Sequence, residues 1–397
     1  MNVTLNGARI SGTIKAIPSK SYAHRILICN FLAGNTLNTG CDGFTSKDIE
    51  ATKRCLEALS NGENTLDCGE SGSTLRFLIP LVSAIGGKYC LIGHGRLIKR
   101  PNDELFNVLK AHGVTATQDG QVEVCGKLTS GEYKLRGDIS SQYVTGLIMA
   151  LSILDGDSTI VLTTPLASAP YVDITIEVLK NFGVVVEKNK DVFKIKGNQK
   201  YCGDAKAEGD WSNMAFFMVL GAVAGEVTVN GMNFNSVQGD KKILQVLLDA
   251  GARLTVSENS VTVKKGELNC FTLDAENCPD LVPIASVIAA FSKGTTVIKN
   301  VERLKIKESD RIETTIKMLK AFGINAESDG HDLTIYGGQV KGGEISSFND
   351  HRIVMSSAVL SAGADGRSKI IDAEAVNKSY PTFFEDYTSV GGIVSEV

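Results

Sequence analysis

The chain has 397 residues, a formal net charge of −4, 43% hydrophobic and 22% charged side chains, which is ordinary globular composition with material for two or three cored domains. The small negative charge excludes a general pull toward nucleic acid or acidic membrane. The longest apolar stretches, "FFMVLGAVAG" among them, are too short to span a bilayer.

In chain order, the sequence opens with two alternating runs, "VTLNGARISGTIKA", that read as a hairpin. The start, "MNVTLNGARI", lacks the basic-then-apolar order of a signal peptide. Then comes "SKSYAHRILICNFLAG", a helix apolar nearly all round and therefore buried. Helices of this type return as "SGSTLRFLIPLVSAIGG", "SSQYVTGLIMALSILDG", "DWSNMAFFMVLGAVAG", "PDLVPIASVIAAFSKG" and "NDHRIVMSSAVLSAGADG". They begin near residues 19, 71, 140, 210, 279 and 349, and every step after the first is 69 or 70 residues.

A second layout interleaves with these. "NDELFNVLKAHGVTATQDGQVEVCG", "VDITIEVLKNFGVVVEKNKDVFKIKG", "GDKKILQVLLDAGARLTVSENSVTVKKG" and "SDRIETTIKMLKAFGINAESDGHDLTIYGG" each open near an Asp: Asp103, Asp173, Asp240 and Asp310. Asp there predicts an N-cap, because its carboxylate accepts free backbone N–H groups. Each helix ends with Gly four residues after Leu: Gly113, Gly183, Gly251 and Gly323. Gly suits the left-handed C′ position, and a hairpin follows each time. "SKDIEATKRCLEALSNG" is a looser copy starting at Asp48.

The repeat is therefore buried helix, strand, amphipathic helix, hairpin. There are six units, the first shortened and the last without a clear hairpin. The N-terminal strands complete that last half. The pattern predicts an α/β protein of two three-unit domains: residues 19–208, and residues 1–18 plus 209–397. The chain crosses between them near 18–20 and 208–211, a natural hinge.

Polar residues gather at helix entries: Lys20, Ser21 and Arg25; Ser71, Gly72, Ser73 and Arg76; Ser140, Ser141 and Gln142; Asp280; and Asn349, Asp350, His351 and Arg352. Arg100, Ser168, Tyr171, the run "KIKESDR" and Lys378 join them. A helix N-terminus offers free N–H donors and about half a positive charge. If the two halves close on each other, these termini converge on one anion-binding cleft. The charges in "KIKESDR" would line it.

Nine cysteines are scattered singly, with no C-x-x-C spacing. This predicts reduced thiols in a cytoplasmic chain, not a disulfide frame or a zinc site.

At these entries the sequence resembles the enolpyruvyl transferases, and specifically the 3-phosphoshikimate 1-carboxyvinyltransferase (EPSP synthase) family. "PSKSYAHR", "SGSTLR", "GRLIKRP", "SSQ", "PYVDIT", "PD", "KIKESDR", "NDHR" and "NKSYP" occur in the family's order over essentially the whole length. The resemblance implies two inside-out α/β barrel domains, each of three βαβαββ-type units with the helices packed inside. It implies transfer of the carboxyvinyl group of phosphoenolpyruvate to the 5-hydroxyl of shikimate 3-phosphate, with phosphate released by addition and then elimination. No metal or organic cofactor is expected, and a monomer is.

Roles follow by the same resemblance. Lys20 and Glu308 are candidates for moving the methylene proton, and Asp280 for base. Lys20, Arg100, Gln142, Arg311, Arg352 and Lys378, with the Gly72 backbone, should grip phosphoenolpyruvate. Lys20, Ser21, Arg25, Ser140, Ser141, Gln142, Ser168, Tyr171, Asp280 and Lys307 should hold shikimate 3-phosphate, and His351 should support. Two departures stand out. Glu70–Thr74 reads "ESGST" where family members often have Asn-Ala-Gly-Thr-Ala, and Arg303 stands where an Asn often sits. The first bears on inhibitor sensitivity, glyphosate included; the second on one shikimate contact.

Three alternatives compete. The sister transferase acting on UDP-N-acetylglucosamine usually carries a reactive Cys in the loop before Arg-Pro, but "GHGRLIKRP" has none. A non-catalytic anion-binding relative would not need Lys20, Asp280 and Glu308 together. An RNA-end enzyme would need the basic, aromatic-rich surface this chain lacks.

Overall fold

The computed structural model describes residues 1–41 and 43–396. Its helices alternate in type. The buried set is α1 (Lys20–Ala33), α3 (Gly72–Ile85), α5 (Ser141–Leu151), α7 (Trp211–Ala224), α9 (Val282–Ala290) and α11 (His351–Gly363). Between them lie α2 (Lys47–Ser60), α4 (Asp103–Ala111), α6 (Pro170–Asn181), α8 (Ile243–Asp249), α10 (Arg311–Ala321) and α12 (Phe383–Ser389). In α7 every residue except Ser212 is buried, which suits a helix apolar all round. In α4 only Leu105, Val108 and Leu109 are buried, one stripe of a two-faced helix.

The chain divides into two compact units: Lys20–Ala207, and Met1–Ser19 together with the chain from Glu208 onward. In the first, α3 packs against α5, and α1 and α5 against α6. Its core includes Ile26, Phe77, Leu147, Val172 and Phe193. In the second, α7, α9 and α11 pack against one another, with Trp211, Phe216 and Phe217 fully buried.

Four-stranded sheets flank these helices. Thr65–Asp67 runs parallel to Gly87–Ile92, which pairs antiparallel with Gln121–Gly126, and Val114–Asp119 forms the far edge. The same wiring recurs in the sheets ending at Val192–Ile195 and Leu333–Tyr336 with their hairpin partners. Short strand, buried helix, strand, amphipathic helix and hairpin thus form one βαβαββ module. The fold is the inside-out α/β architecture, helices within and sheets without. Among the described residues, 20–60 supply helices α1 and α2 and no strand of their own.

The module ends are written as the sequence suggests. Gly113, Gly183, Gly251 and Gly323 all have φ between 76° and 88°, the left-handed region at C′. The Asp caps are different. Only Asp310 caps its helix, accepting from Ile312 and Glu313 N–H at 3.2 Å. Asp103 lies inside α4, Asp173 pairs with Lys188, and Asp240 sits buried in the turn before α8. A short acidic residue near a helix start can cap, pair or bury, and its neighbours in space decide which.

The N-terminal runs do not form a hairpin. Val3–Asn6 pairs antiparallel with Ser368–Ile371 on one side and Ile393–Glu396 on the other. Ile10–Lys15 joins a different sheet, parallel to Gly225–Asn230. The chain reaches α7 from the other unit, so that module has no leading strand of its own, and Ile10–Lys15 covers its open edge. Gly225 allows the close approach: a Cβ there would lie 1.9 Å from the Ile10 carbonyl oxygen.

Among the described residues no disulfide forms, and no helix is long and apolar enough to cross a membrane.

Candidate active site: one constellation in each unit

In the unit Lys20–Ala207 the polar residues sit at the starts of the buried helices. Lys20 opens α1 and its Nζ donates to Asp48 Oδ2 at 2.7 Å. Arg25, one turn on, is 2% exposed. Its Nε donates to Thr175 Oγ1 at 2.7 Å, Nη1 to the Ser21 carbonyl at 2.6 Å and Nη2 to the Tyr171 carbonyl at 2.8 Å. Its Cζ lies 5.0 Å from the centre of the Phe77 ring. Burial pulls its pKa down to about 10. Among the described residues no carboxylate pairs with it, so it is a cation held only by neutral oxygens. Such a charge favours a nearby anion.

Gly72 is the first residue of α3, and Ser71 caps the helix by accepting the Thr74 N–H at 3.2 Å. A Cβ on Gly72 would lie 2.4 Å from Arg100 Nη1. The missing side chain is what lets the guanidinium lie against the helix terminus. Arg76 Nη1 donates to Gln142 Oε1 at 2.9 Å and Gln142 Nε2 to Ser73 Oγ at 3.0 Å, so α3 fixes the orientation of that amide. Asn102 accepts from Arg76 Nε at 3.1 Å and donates to Gln118 Oε1 at 2.8 Å, and Gln118 bonds the Arg100 carbonyl at 3.0 Å. Ser140 caps α5 through the Gln142 N–H, and Ser141 is buried beside it. Ser168, just before α6, has φ 56°, a strained value for Ser. The Glu70 carboxylate lies against Gly95, so it belongs to the wall formed by "GHGRLIKRP".

In the other unit the constellation is ionic. Arg311, 1% exposed, is the hub. Its Nη1 donates to Asp280 Oδ1 at 2.8 Å, Nη2 to Glu308 Oε2 at 2.7 Å and Nε to Asp350 Oδ2 at 2.8 Å. Arg352 holds Asp280 from the other side, Nη2 to Oδ2 at 3.0 Å and Nη1 to the backbone carbonyl at 3.1 Å. Burial opposes the Arg311 charge, but Asp350, Glu308 and Asp280 outweigh it and raise its pKa. Lys307 Nζ lies 3.6 Å from Asp280 Oδ1. Burial lowers its pKa to about 8, with Asp280 resisting and Arg311 assisting. Lys378 donates to the Asn349 carbonyl at 2.7 Å. His351, buried at the start of α11, has Nδ1 3.9 Å from Asp350 Oδ1.

Each unit therefore gathers its own predicted residues. Several partners were not among the expected site residues: Asp48, Thr175, Asn102, Gln118 and Asp240. Asp350 stood among the helix-entry residues through "NDHR" but without a role, whereas nothing local marks Asn102 or Thr175. Burial, and then the charge of Asp280, push the Asp240 carboxyl up to about 7.

The family model of EPSP synthase (3-phosphoshikimate 1-carboxyvinyltransferase) matches residues 57–387. This chain belongs to the EPSP synthase family. A 3-phosphoshikimate 1-carboxyvinyltransferase of Clostridium kluyveri is 40% identical, covering 99% of this chain and 98% of its own. That of Clostridium novyi is 39% identical over 100% and 98%. Among solved structures, EPSP synthase from Acinetobacter baumannii superposes with a TM-score of 0.79 at 24% identity over both whole chains. The enolpyruvyl transferase NikO from Streptomyces tendae does so at 0.78 and 16% identity, covering 99% and 98%. At such identities these two structures speak for the EPSP synthase fold alone.

Proposed function

We propose the following division of labour for the reaction of this family. The chain is a 3-phosphoshikimate 1-carboxyvinyltransferase: it moves the carboxyvinyl group of phosphoenolpyruvate onto the 5-hydroxyl of shikimate 3-phosphate and releases phosphate. Asp280 takes the proton of the attacking hydroxyl. Its two oxygens are held by Arg311 and Arg352, so the carboxylate is aimed before substrate arrives. Glu308 and Lys20 serve the methylene proton as the hydroxyl attacks the adjacent carbon. The tetrahedral intermediate then loses phosphate and a proton from the same methyl group.

Lys20, Arg100, Gln142, Arg311, Arg352 and Lys378, with the Gly72 backbone, bind phosphoenolpyruvate. Guanidinium forks suit its carboxylate and phosphate. Arg25, Ser21, Ser140, Ser141, Ser168, Tyr171 and Lys307 hold shikimate 3-phosphate, with Lys20, Gln142 and Asp280 also touching it. The observation that carries this reading is the hub itself. Asp280 and Glu308, a base and an acid candidate, are locked to one buried arginine. The Cys-free loop "GHGRLIKRP" supports shikimate 3-phosphate over a nucleotide sugar.

The test is phosphate release from phosphoenolpyruvate with either acceptor. Turnover with shikimate 3-phosphate and none with UDP-N-acetylglucosamine is expected. The reverse preference would overturn the assignment.

A further inference from the structure

His24, Thr52, Thr74 and Ser71 form a chain of hydrogen bonds with no part in the chemistry above. His24 Nδ1 lies 2.7 Å from Thr52 Oγ1, which lies 2.6 Å from Thr74 Oγ1, which lies 2.7 Å from Ser71 Oγ. None of the four residues is more than 1% exposed. The chain threads α1, α2 and α3 and stops at the cap of α3, one residue before Gly72.

Each hydroxyl has one hydrogen, so one end sets the direction of the whole chain. Burial first, then the positive charges of Lys20 and Arg25, hold the His24 pKa well below its usual value. The ring is therefore neutral and carries a single N–H. Nε2 is buried without a hydrogen-bond partner among the described residues. Placing the proton there would bury an unmet donor, whereas placing it on Nδ1 leaves only a lone pair unmet. Orphaned buried N–H groups are the rarer of the two. With Nδ1–H the bonds run His24 to Thr52, Thr52 to Thr74, and Thr74 to Ser71 at 2.7 Å, a closer acceptor than the Asp48 carbonyl at 3.5 Å. The Ser71 oxygen also accepts the Thr74 N–H at 3.2 Å. With this direction, no acceptor remains for the Ser71 hydrogen among the described residues.

We propose that His24 is a positioning residue which, through Thr52 and Thr74, keeps the Ser71 hydrogen available as an extra donor to phosphoenolpyruvate at the start of α3. This rests on the assignment of that terminus, with Gly72 and Arg100, to phosphoenolpyruvate. It adds a side-chain donor to the helix amides and makes the substrate's anchorage depend on a histidine that never touches it.

Two measurements test it on the whole enzyme. Nitrogen-15 NMR of histidine-labelled protein should show His24 as the Nδ1–H tautomer; the Nε2–H tautomer overturns the proposal. Thr52→Val should raise KM for phosphoenolpyruvate about tenfold, the loss expected for one hydrogen bond to a charged ligand. KM for shikimate 3-phosphate and the melting temperature should hold, and Thr52→Ser should restore the native value. An unchanged KM in Thr52→Val overturns the proposal. Gly72→Ala and Arg100→Ala separate the two layers. If they raise KM for phosphoenolpyruvate while Thr52→Val does not, only the relay falls. If neither raises it, the terminus is not the cradle and both fall.

Discussion

Glu308 and Asp280 are fastened to the two terminal nitrogens of one guanidinium. Arg311 Nη2 meets Glu308 Oε2 at 2.7 Å and Nη1 meets Asp280 Oδ1 at 2.8 Å. The guanidinium is planar and rigid, and Asp350 locks its third edge at 2.8 Å. The separation of the two carboxylates is therefore set by a plane of bonded atoms, not by two independent rotamers.

Glu308→Gln keeps an acceptor for Arg311 but cannot carry the proton. We expect kcat to fall by about 10²–10⁴, with the dissociation constant for shikimate 3-phosphate nearly unchanged. Steady-state phosphate release and titration calorimetry would check this. Near-native turnover would remove Glu308 from the proton path.

Asp280→Ala takes away a proton acceptor and an anion shared by Arg311, Arg352 and Lys307. Turnover should drop by a similar factor of about 10²–10⁴. Asp280→Asn should retain more thermal stability than Asp280→Ala, because an amide oxygen still satisfies one guanidinium. Equal melting temperatures for the two variants would refute this view of the hub.

Gly72→Ala would push a methyl group to 2.4 Å from Arg100 Nη1, so the guanidinium must move. Displacement of about an ångström in a positioned group costs up to about a hundredfold. We expect KM for phosphoenolpyruvate to rise by about tenfold to a hundredfold while KM for shikimate 3-phosphate holds. Initial rates with each substrate varied in turn would show the split.

Lys307 has its pKa lowered to about 8, chiefly by burial. In the free enzyme its ammonium is present below that value and lost above it. The ratio kcat/KM for shikimate 3-phosphate should therefore decline as pH rises through about 8. Lys307→Arg should move the decline to higher pH. The linkage to stability runs the other way. Between about pH 8 and the ordinary lysine range the unfolded chain binds the extra proton, so this residue's contribution to stability grows with pH there.

Asp240 has its pKa raised to about 7, by burial and then by Asp280. Its contribution to stability is fully present below the ordinary carboxylate range and is lost as pH rises through about 7. Asp240→Asn mimics the protonated acid. It should melt a few degrees above the native protein at pH 8, on the order expected for a shift of 1–2 kcal/mol, and show no advantage at pH 4. Melting curves at the two pH values decide it.

Much of the fold is legible in the residues. The 69- and 70-residue spacing, the all-apolar helices and the Gly C′ positions are local signals, because helix period and cap geometry involve neighbours within a turn or two. The Asp caps show where such signals stop. Asp103, Asp173, Asp240 and Asp310 occupy equivalent points of the repeat, yet only Asp310 caps, since a carboxylate goes to whichever donor lies nearest in space. The two N-terminal runs alternate like a hairpin, and strand alternation says which face is buried but not which strand lies alongside.

The candidate site divides along the same line. The helix-entry residues Lys20, Arg25, Gly72, Asp280, Glu308 and Arg352 were visible because the chain places them at recurring positions. Family order in the motifs then gave the chemistry. What only the folded chain decided is who bonds whom. Arg311 reaches Asp280 across 31 positions and Asp350 across 39, and Arg352 reaches Asp280 across 72. Burial and then the charge of Asp280 shift Lys307 and Asp240, and the partners of His24 in the folded chain set the direction of its relay. Periodicity and capping act through neighbours in the chain, whereas desolvation and Coulomb forces act through neighbours in space, and only folding makes the second set.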